Sequence, residues 1–256
     1  MVWKLLAEGL SVGYDGKTLL RNLSFAVGSG ECVLLCGGNG MGKSTLLRTL
    51  AGLQKPLGGT VRNPGGGKAV LVPSRIPKVA GFTVKKFIGL TTFQETDWLG
   101  RIGKELVARI AGSMSMLDIQ EFADRDISTL SDGEFQKVCI AAAVARNAEV
   151  GLLDELAAWV MNADILLLDE PTAFLDVEAR ETVLQTLSDI VRCENAPAII
   201  FSSHDIHSAV RHCTRIFGLY KNTDRETSFM DSGPCVSEFD AVLERCFPNI
   251  PIRRQL

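Results

Sequence analysis

The chain has 256 residues, 46% hydrophobic and 22% charged, with a formal net charge of -3 and a pI near 5.7. These values suit one large soluble domain, or a domain with a subdomain, and they exclude a strongly basic nucleic-acid binder. No apolar run reaches the roughly 18 residues a membrane span needs, Met1–Glu8 lacks the long apolar core and cleavage site of a secretory leader, and seven cysteines without a C-x-x-C pair suit reduced thiols rather than a disulfide framework.

Residues 3–35 read as strands and turns, with a turn at Tyr14-Asp15-Gly16-Lys17 and an imperfectly alternating strand from Leu19 to Val27. Cys32-Val33-Leu34-Leu35-Cys36 reads as a buried strand, in which packing is the expected role of both thiols. It runs into Gly37-Gly38-Asn39-Gly40-Met41-Gly42-Lys43-Ser44-Thr45 and then a helix that Gly52 should end. Gly58-Gly59 and Asn63-Pro64-Gly65-Gly66-Gly67 read as breakers around a short hairpin, followed by a strand from Lys68 to Val72. Thr83 to Phe122 turns helical, with Leu106, Val107, Ile110 and Ala111 at helix spacing. From Ser131 onward helices and strands alternate: Ile165–Leu168, a helix from Val177, then Ala198–Phe201, which argues for a parallel α/β core. A short helix is expected near Val236 to Cys246.

The Gly37–Thr45 segment matches the phosphate-loop pattern G-x-x-x-x-G-K-[ST], and its strand–loop–helix setting is the one that chemistry needs. Glycines let successive N–H groups point at phosphate oxygens, and the helix N-terminus adds partial positive charge. Lys43 would reach the β- and γ-phosphates, and the Ser44 hydroxyl would hold Mg²⁺. Leu167-Leu168-Asp169-Glu170 puts an acidic pair at the end of an apolar strand. Alone that is as often a plain strand end; beside a phosphate loop the aspartate suits Mg²⁺ and the glutamate can polarise water. Leu130-Ser131-Asp132-Gly133-Glu134 reads as a capping box, Ser131 to Glu134, and its free helix N-terminus can equally clamp a phosphate. His204, His207 and His212 cluster beside Cys213, without acidic or thiol partners recurring at metal-ligand spacing.

Taken in order, the phosphate loop, Leu130–Glu134, Asp169-Glu170, Ala173-Phe174-Leu175-Asp176 and His204 resemble the motifs of ATP-binding cassette (ABC) ATPases along nearly the whole chain. The resemblance implies an α/β fold, a phosphate-loop NTPase core with an antiparallel β subdomain and an inserted α-helical subdomain. It implies the division 1–75 and 150–222 for the core, 76–149 for the helical subdomain with the signature helix, and 223–256 for a C-terminal extension. ATP and Mg²⁺ are the implied ligands. Tyr14 would stack on adenine (an ordinary turn tyrosine being the other reading), Asp169 would serve Mg²⁺, Glu170 would be the general base, and His204 would touch the γ-phosphate. Asp176 would couple two sites, with Ser131 and Gly133 gripping the γ-phosphate of the opposite subunit in a homodimer.

Leu-Ser-Asp-Gly-Glu, Asp-Glu-Pro-Thr-Ala-Phe-Leu-Asp and Thr96-Asp97-Trp98-Leu99-Gly100-Arg101 resemble importers of iron complexes, haem and cobalamin. They imply a cytoplasmic ATPase subunit, peripheral on the inner face of the cell membrane. It would be held there by integral-membrane permease subunits and served by an external binding protein, with no nucleic-acid role. A soluble cassette ATPase in cytosolic assembly, such as iron–sulfur cluster building, and a weakly hydrolysing scaffold are the alternatives.

Two departures stand out. Ser74 occupies the position where the family usually has a glutamine that reaches Mg²⁺ and the attacking water, and serine cannot span that distance without a water. Leu-Leu-Asp-Glu also occurs twice, at Leu152–Glu155 and Leu167–Glu170, inside a local repeat offset by 15 positions. The family's spacing from the signature fits the first copy, and its spacing to His204 fits the second. Leu152, Leu156, Trp159 and Val160 fall on a helical stripe, so the first copy is expected to form an extra helix behind the ATP face with Asp154 and Glu155 solvated, leaving Glu170 as the base.

Overall fold

The computed structural model describes residues 2–67, 69–90, 103–146, 148–150, 159–161, 165–193 and 196–248. Strands β1 (Trp3–Tyr14) and β2 (Lys17–Gly28) form an antiparallel hairpin, with Tyr14 opposite Lys17. Asp15 and Gly16 take φ of 47° and 74° at its turn, the left-handed pair that suits the twist of a two-residue hairpin. β3 (Cys32–Gly37) leads through the glycine-rich loop into α1 (Lys43–Leu50), and Gly52 turns the chain away with φ 72°.

β4 (Gly58–Arg62) corrects the expected hairpin. It pairs antiparallel with β1, Ala7 opposite Val61, whereas β5 (Ala69–Val72) joins a different sheet. The glycines at 58 and 59 are thus strand residues. α2 (Val84–Leu90) and α3 (Lys104–Met116) fall within the expected helical stretch, and α3 buries Leu106 and Ile110 while Val107 faces out. The importer-like segment Thr96–Arg101 lies outside the described residues.

α4 (Asp132–Arg146) is followed by β6 (Ala148–Val150) and β7 (Trp159–Met161), which pair antiparallel with Ala148 opposite Met161. Trp159 and Val160 therefore belong to a ribbon and not to the expected helix; residues 151–158, with Asp154 and Glu155, lie outside the described residues. β8 (Ile165–Leu168), α5 (Val177–Ile190), β9 (Ala198–Ser202), α6 (Ile206–Ala209), β10 (Arg215–Lys221), β11 (Thr227–Asp231) and α7 (Phe239–Cys246) complete the chain.

The main sheet has the order β11-β10-β3-β9-β8-β5, parallel except for the β10–β11 hairpin. Its central strands are apolar throughout because both faces are covered. Along β3, Val33 and Leu35 pack with α1 and with Leu5, Leu20 and Val27 of the smaller sheet. Cys32, Leu34 and Cys36 face the opposite side, with Val138 of α4, Leu184 of α5 and Phe239 of α7. No helix among the described residues is long and apolar enough to cross a membrane.

Candidate active site

Parallel sheets gather function at the carboxyl ends of their strands. Here β3 delivers the glycine-rich loop, β5 delivers Ser74, β8 delivers Asp169 and Glu170, and β9 delivers His204. One cleft of about 360 Å³ is lined by Tyr14, Leu19, Asn39, Gly40, Met41, Gly42, Lys43, Ser44, Thr45, Ser74, Asp169, Glu170 and His204. Gly37 and Gly38 sit beneath it and present their carbonyls to Lys43, whose Nζ donates to Gly37 O at 2.8 Å and to Gly38 O at 3.4 Å. Gly37 has φ 143° and Gly42 φ 98°. A side chain at Gly37 would begin 2.5 Å from Leu219 O of β10, so this turn can close against the sheet only with glycine. Burial lowers the Lys43 pKa, while the carboxylates of Glu170 and Asp169 work to hold the proton.

The acidic pair is braced by a residue that motif reading passes over. Ser202, at the end of β9, donates its hydroxyl to Asp169 Oδ1 at 2.9 Å and accepts the Glu170 N–H at 2.9 Å. The available signal was a polar Ser202-Ser203 step ending an otherwise apolar strand. Asp169 is 5% exposed. Glu170 takes φ 54°, an uncommon conformation for a non-glycine residue that aims its carboxylate into the cleft. Its Oε2 accepts the His204 N–H at 3.1 Å. Its Oε1 lies 3.3 Å from His204 Nε2 but outside hydrogen-bond geometry, so this buried oxygen has no donor. Burial raises the Glu170 pKa; His204 and Lys43 pull it back only in part.

Tyr14 is 51% exposed at the cleft rim, an aromatic face available for stacking. Ser131, Gly133 and Asp176 do not line this cleft. Ser131 and Glu134 form the expected capping box: the Ser131 N–H donates to Glu134 Oε2 at 2.6 Å, and the Glu134 N–H donates to Ser131 Oγ at 3.2 Å. A Cβ on Gly133 would lie 2.9 Å from Phe174 O, so α4 starts in close contact with the segment that ends at Asp176. Asp176 caps α5, accepting the Ala179 N–H at 2.8 Å.

A lysine folded over a glycine-rich loop, a hydroxyl and a carboxylate as hard oxygen donors, and an orphaned carboxylate oxygen together suit a phosphate chain with a magnesium ion and a water.

The protein-family model described as ABC transporter matches residues 20–158. A second, described as AAA domain, putative AbiEii toxin, Type IV TA system, matches residues 114–209. The achromobactin transport ATP-binding protein of Dickeya dadantii is 28% identical over 254 residues, covering 95% of this chain and 87% of that protein. The zinc import ATP-binding protein of Ruegeria pomeroyi is 34% identical over 214 residues, covering 83% of this chain and 73% of that protein. Among solved structures, a chain of an inward-facing ABC transporter of metal-chelate type superposes with a TM-score of 0.77 at 22% identity, covering 96% of this chain and 89% of that one, a likeness of fold. Family match, relatives and architecture agree: the chain belongs to the ABC transporter family of ATP-binding subunits.

Proposed function

We propose that this protein is the ATP-hydrolysing subunit of a membrane importer for an iron complex or a related metal chelate. The observation that carries this reading is the convergence of Lys43, Ser44, Asp169, Glu170 and His204, from the ends of three adjacent parallel strands, on one cleft. Its relatives' names, achromobactin transport and zinc import, support the cargo class.

Tyr14 stacks on the adenine, and the loop from Gly37 to Thr45 surrounds the phosphates with N–H donors. Lys43 exchanges its loop carbonyls for phosphate oxygens. Ser44 and Asp169 hold Mg²⁺, which when bound neutralises charge on the phosphate oxygens. Glu170 accepts a proton from the attacking water through its unpartnered oxygen, and His204 fixes that carboxylate and meets the γ-phosphate. Charge stabilisation and positioning do most of the work. Glu170 is the base, because β8, which lies in the main sheet, delivers it to the cleft beside Lys43; Glu155 lies outside the described residues. In the ATP-bound homodimer, Ser131 and Gly133 face the partner's γ-phosphate and Asp176 links the two sites. Closure pushes on permease subunits at the inner face of the cell membrane, and cargo comes from an external binding protein. The division into core (1–75, 150–222), helical subdomain (76–149) and extension (223–256) belongs to the same reading.

The test is purification of the tagged protein from solubilised membranes of its native cell, with ATP turnover measured on what is recovered. A polytopic permease should accompany the protein. Lys43→Ala and Glu170→Gln should each lower turnover by about a hundredfold or more, while Glu155→Gln stays near wild type. Recovery with soluble partners alone would replace the importer by a cytosolic assembly ATPase. Loss of turnover in Glu155→Gln with Glu170→Gln active would move the base to the first copy.

A further inference from the structure

The segment Lys78–Lys85 is zipped along residues 123–132. The Lys85 N–H donates to Ala123 O at 3.1 Å, the Val84 N–H to Arg125 O at 3.0 Å, the Ile127 N–H to Phe82 O at 2.9 Å, and the Gly81 N–H to the Asp126 carboxylate at 2.7 Å. Lys78 makes the last rung. Its Nζ donates to Leu130 O at 2.7 Å and to Asp132 Oδ1 at 2.6 Å, and lies 5.8 Å from the Phe135 ring centroid. Leu130 and Asp132 are the two neighbours of Ser131. The same loop begins at Ser74, which lines the nucleotide cleft.

Helix stability does not account for this lysine. An ammonium at a helix N-terminus opposes the helix dipole, and here it sits at the start of α4. What its contacts do is hold the Leu130 carbonyl and the Asp132 carboxylate, on either side of Ser131, and join them to a loop whose other end, at Ser74, lines the nucleotide cleft.

We propose that Lys78 is a positioning residue that couples the nucleotide cleft of a subunit to that subunit's own Leu130–Glu134 segment, and so sets how readily two subunits close on ATP. This rests on the ATPase reading above. A shift at Ser74 travels along a short, cross-braced loop into one side chain and displaces the segment that meets the partner's phosphate.

The test uses the full chain as Lys78→Ala, Lys78→Arg and Asp132→Asn. Affinity for a fluorescent ATP analogue is measured on monomeric protein, turnover is measured against ATP concentration, and ATP-dependent dimerisation is measured in a Glu170→Gln background. We expect Lys78→Ala to keep the analogue affinity within about twofold, to lower turnover and to raise the ATP needed for dimerisation, each by about five- to tenfold. Lys78→Arg should recover most of both, and Asp132→Asn should fall between. Unchanged turnover and dimerisation in Lys78→Ala would overturn the proposal. So would a joint fall of analogue affinity and melting temperature in Lys78→Ala and Asp132→Asn, which marks mere structural support. Wild-type protein that dimerises on ATP without hydrolysing it would instead defeat the ATPase reading, and the dimerisation arm would still decide the role of Lys78.

Discussion

Glu170 is held in a left-handed backbone conformation at φ 54°, worth on the order of 1–3 kcal/mol of strain, and the Ser202 hydroxyl on its N–H is part of what holds it there. Burial raises its pKa against the pull of His204 and Lys43. Because the protonated form is favoured in the folded chain, raising the pH through the ordinary carboxylate range ionises this group at a cost to stability. Turnover needs the ionised form. It should therefore fall on acidification with a midpoint above the usual glutamate value. His204→Ala removes the imidazole that offsets part of the rise in the Glu170 pKa, so the acid limb of the residual activity should move to higher pH. A pH–rate profile of both proteins checks this, and an unmoved or lowered limb would contradict it. At this scale the sequence was informative where chemistry restricts the residue type: lysine and serine after a glycine loop, and paired carboxylates after an apolar strand. Ser202 and Lys78 were not legible, because a serine ending a strand and a lysine in a loop have many ordinary uses and no spacing marks them.

The start of α4 performs two jobs with one hydroxyl, and the two separate by substitution. Ser131→Ala removes the cap on the Glu134 N–H and should cost about 1 kcal/mol, whereas Ser131→Gly should cost only a few tenths. If the hydroxyl also grips the partner's phosphate, both variants should lose turnover to a similar degree despite their different stabilities. Denaturant melts and turnover side by side provide the comparison; turnover that tracks stability would reduce Ser131 to a cap. The capping box, the phosphate-loop strand and helix, α5 and β9 were readable as elements, since cap residues, apolar runs and helical spacing are local signals. The hairpin expected near Gly58 failed because glycines mark a bend without naming a strand's partner: β4 pairs back to β1, some fifty positions earlier. The stripe at Leu152, Leu156, Trp159 and Val160 failed at its described end because four apolar positions fit a helix by count, while tertiary pairing placed Trp159–Met161 opposite Ala148–Val150.

Across the whole molecule, the two sheets share one strand face. β3 presents Val33 and Leu35 to the β1–β2 side and Cys32, Leu34 and Cys36 to the helices. Arg215 of β10 pins the layers together, donating to Ala26 O of β2 at 2.7 Å and to Glu31 Oε1 at 3.1 Å, while also pairing with Asp231 of β11. The parallel α/β class followed from the alternation of patterns. The strand order did not, because it depends on which apolar runs meet across the sheet, and the central ones, β3, β8 and β9, are buried on both faces alike.

The β6–β7 ribbon leaves and re-enters the chain at one place, since Ala148 stands opposite Met161. It bears the marks of a stutter in the gene, and a stutter can be reversed. Excising residues 148–162 would join Asn147 to Ala163 and recreate an Asn-Ala junction already present at both 147–148 and 162–163. The shortened chain would keep every described strand of the main sheet and regain the family's distance from signature to acidic strand. It should melt within about 4 °C of the parent and retain ATP turnover, whereas a chain that fails to fold or loses activity would mean the repeat has become part of the working protein. On this reading the extra residues are a lineage marker: related genes that share the repeat descend from the one in which it arose, and reading frames without it preserve the older length.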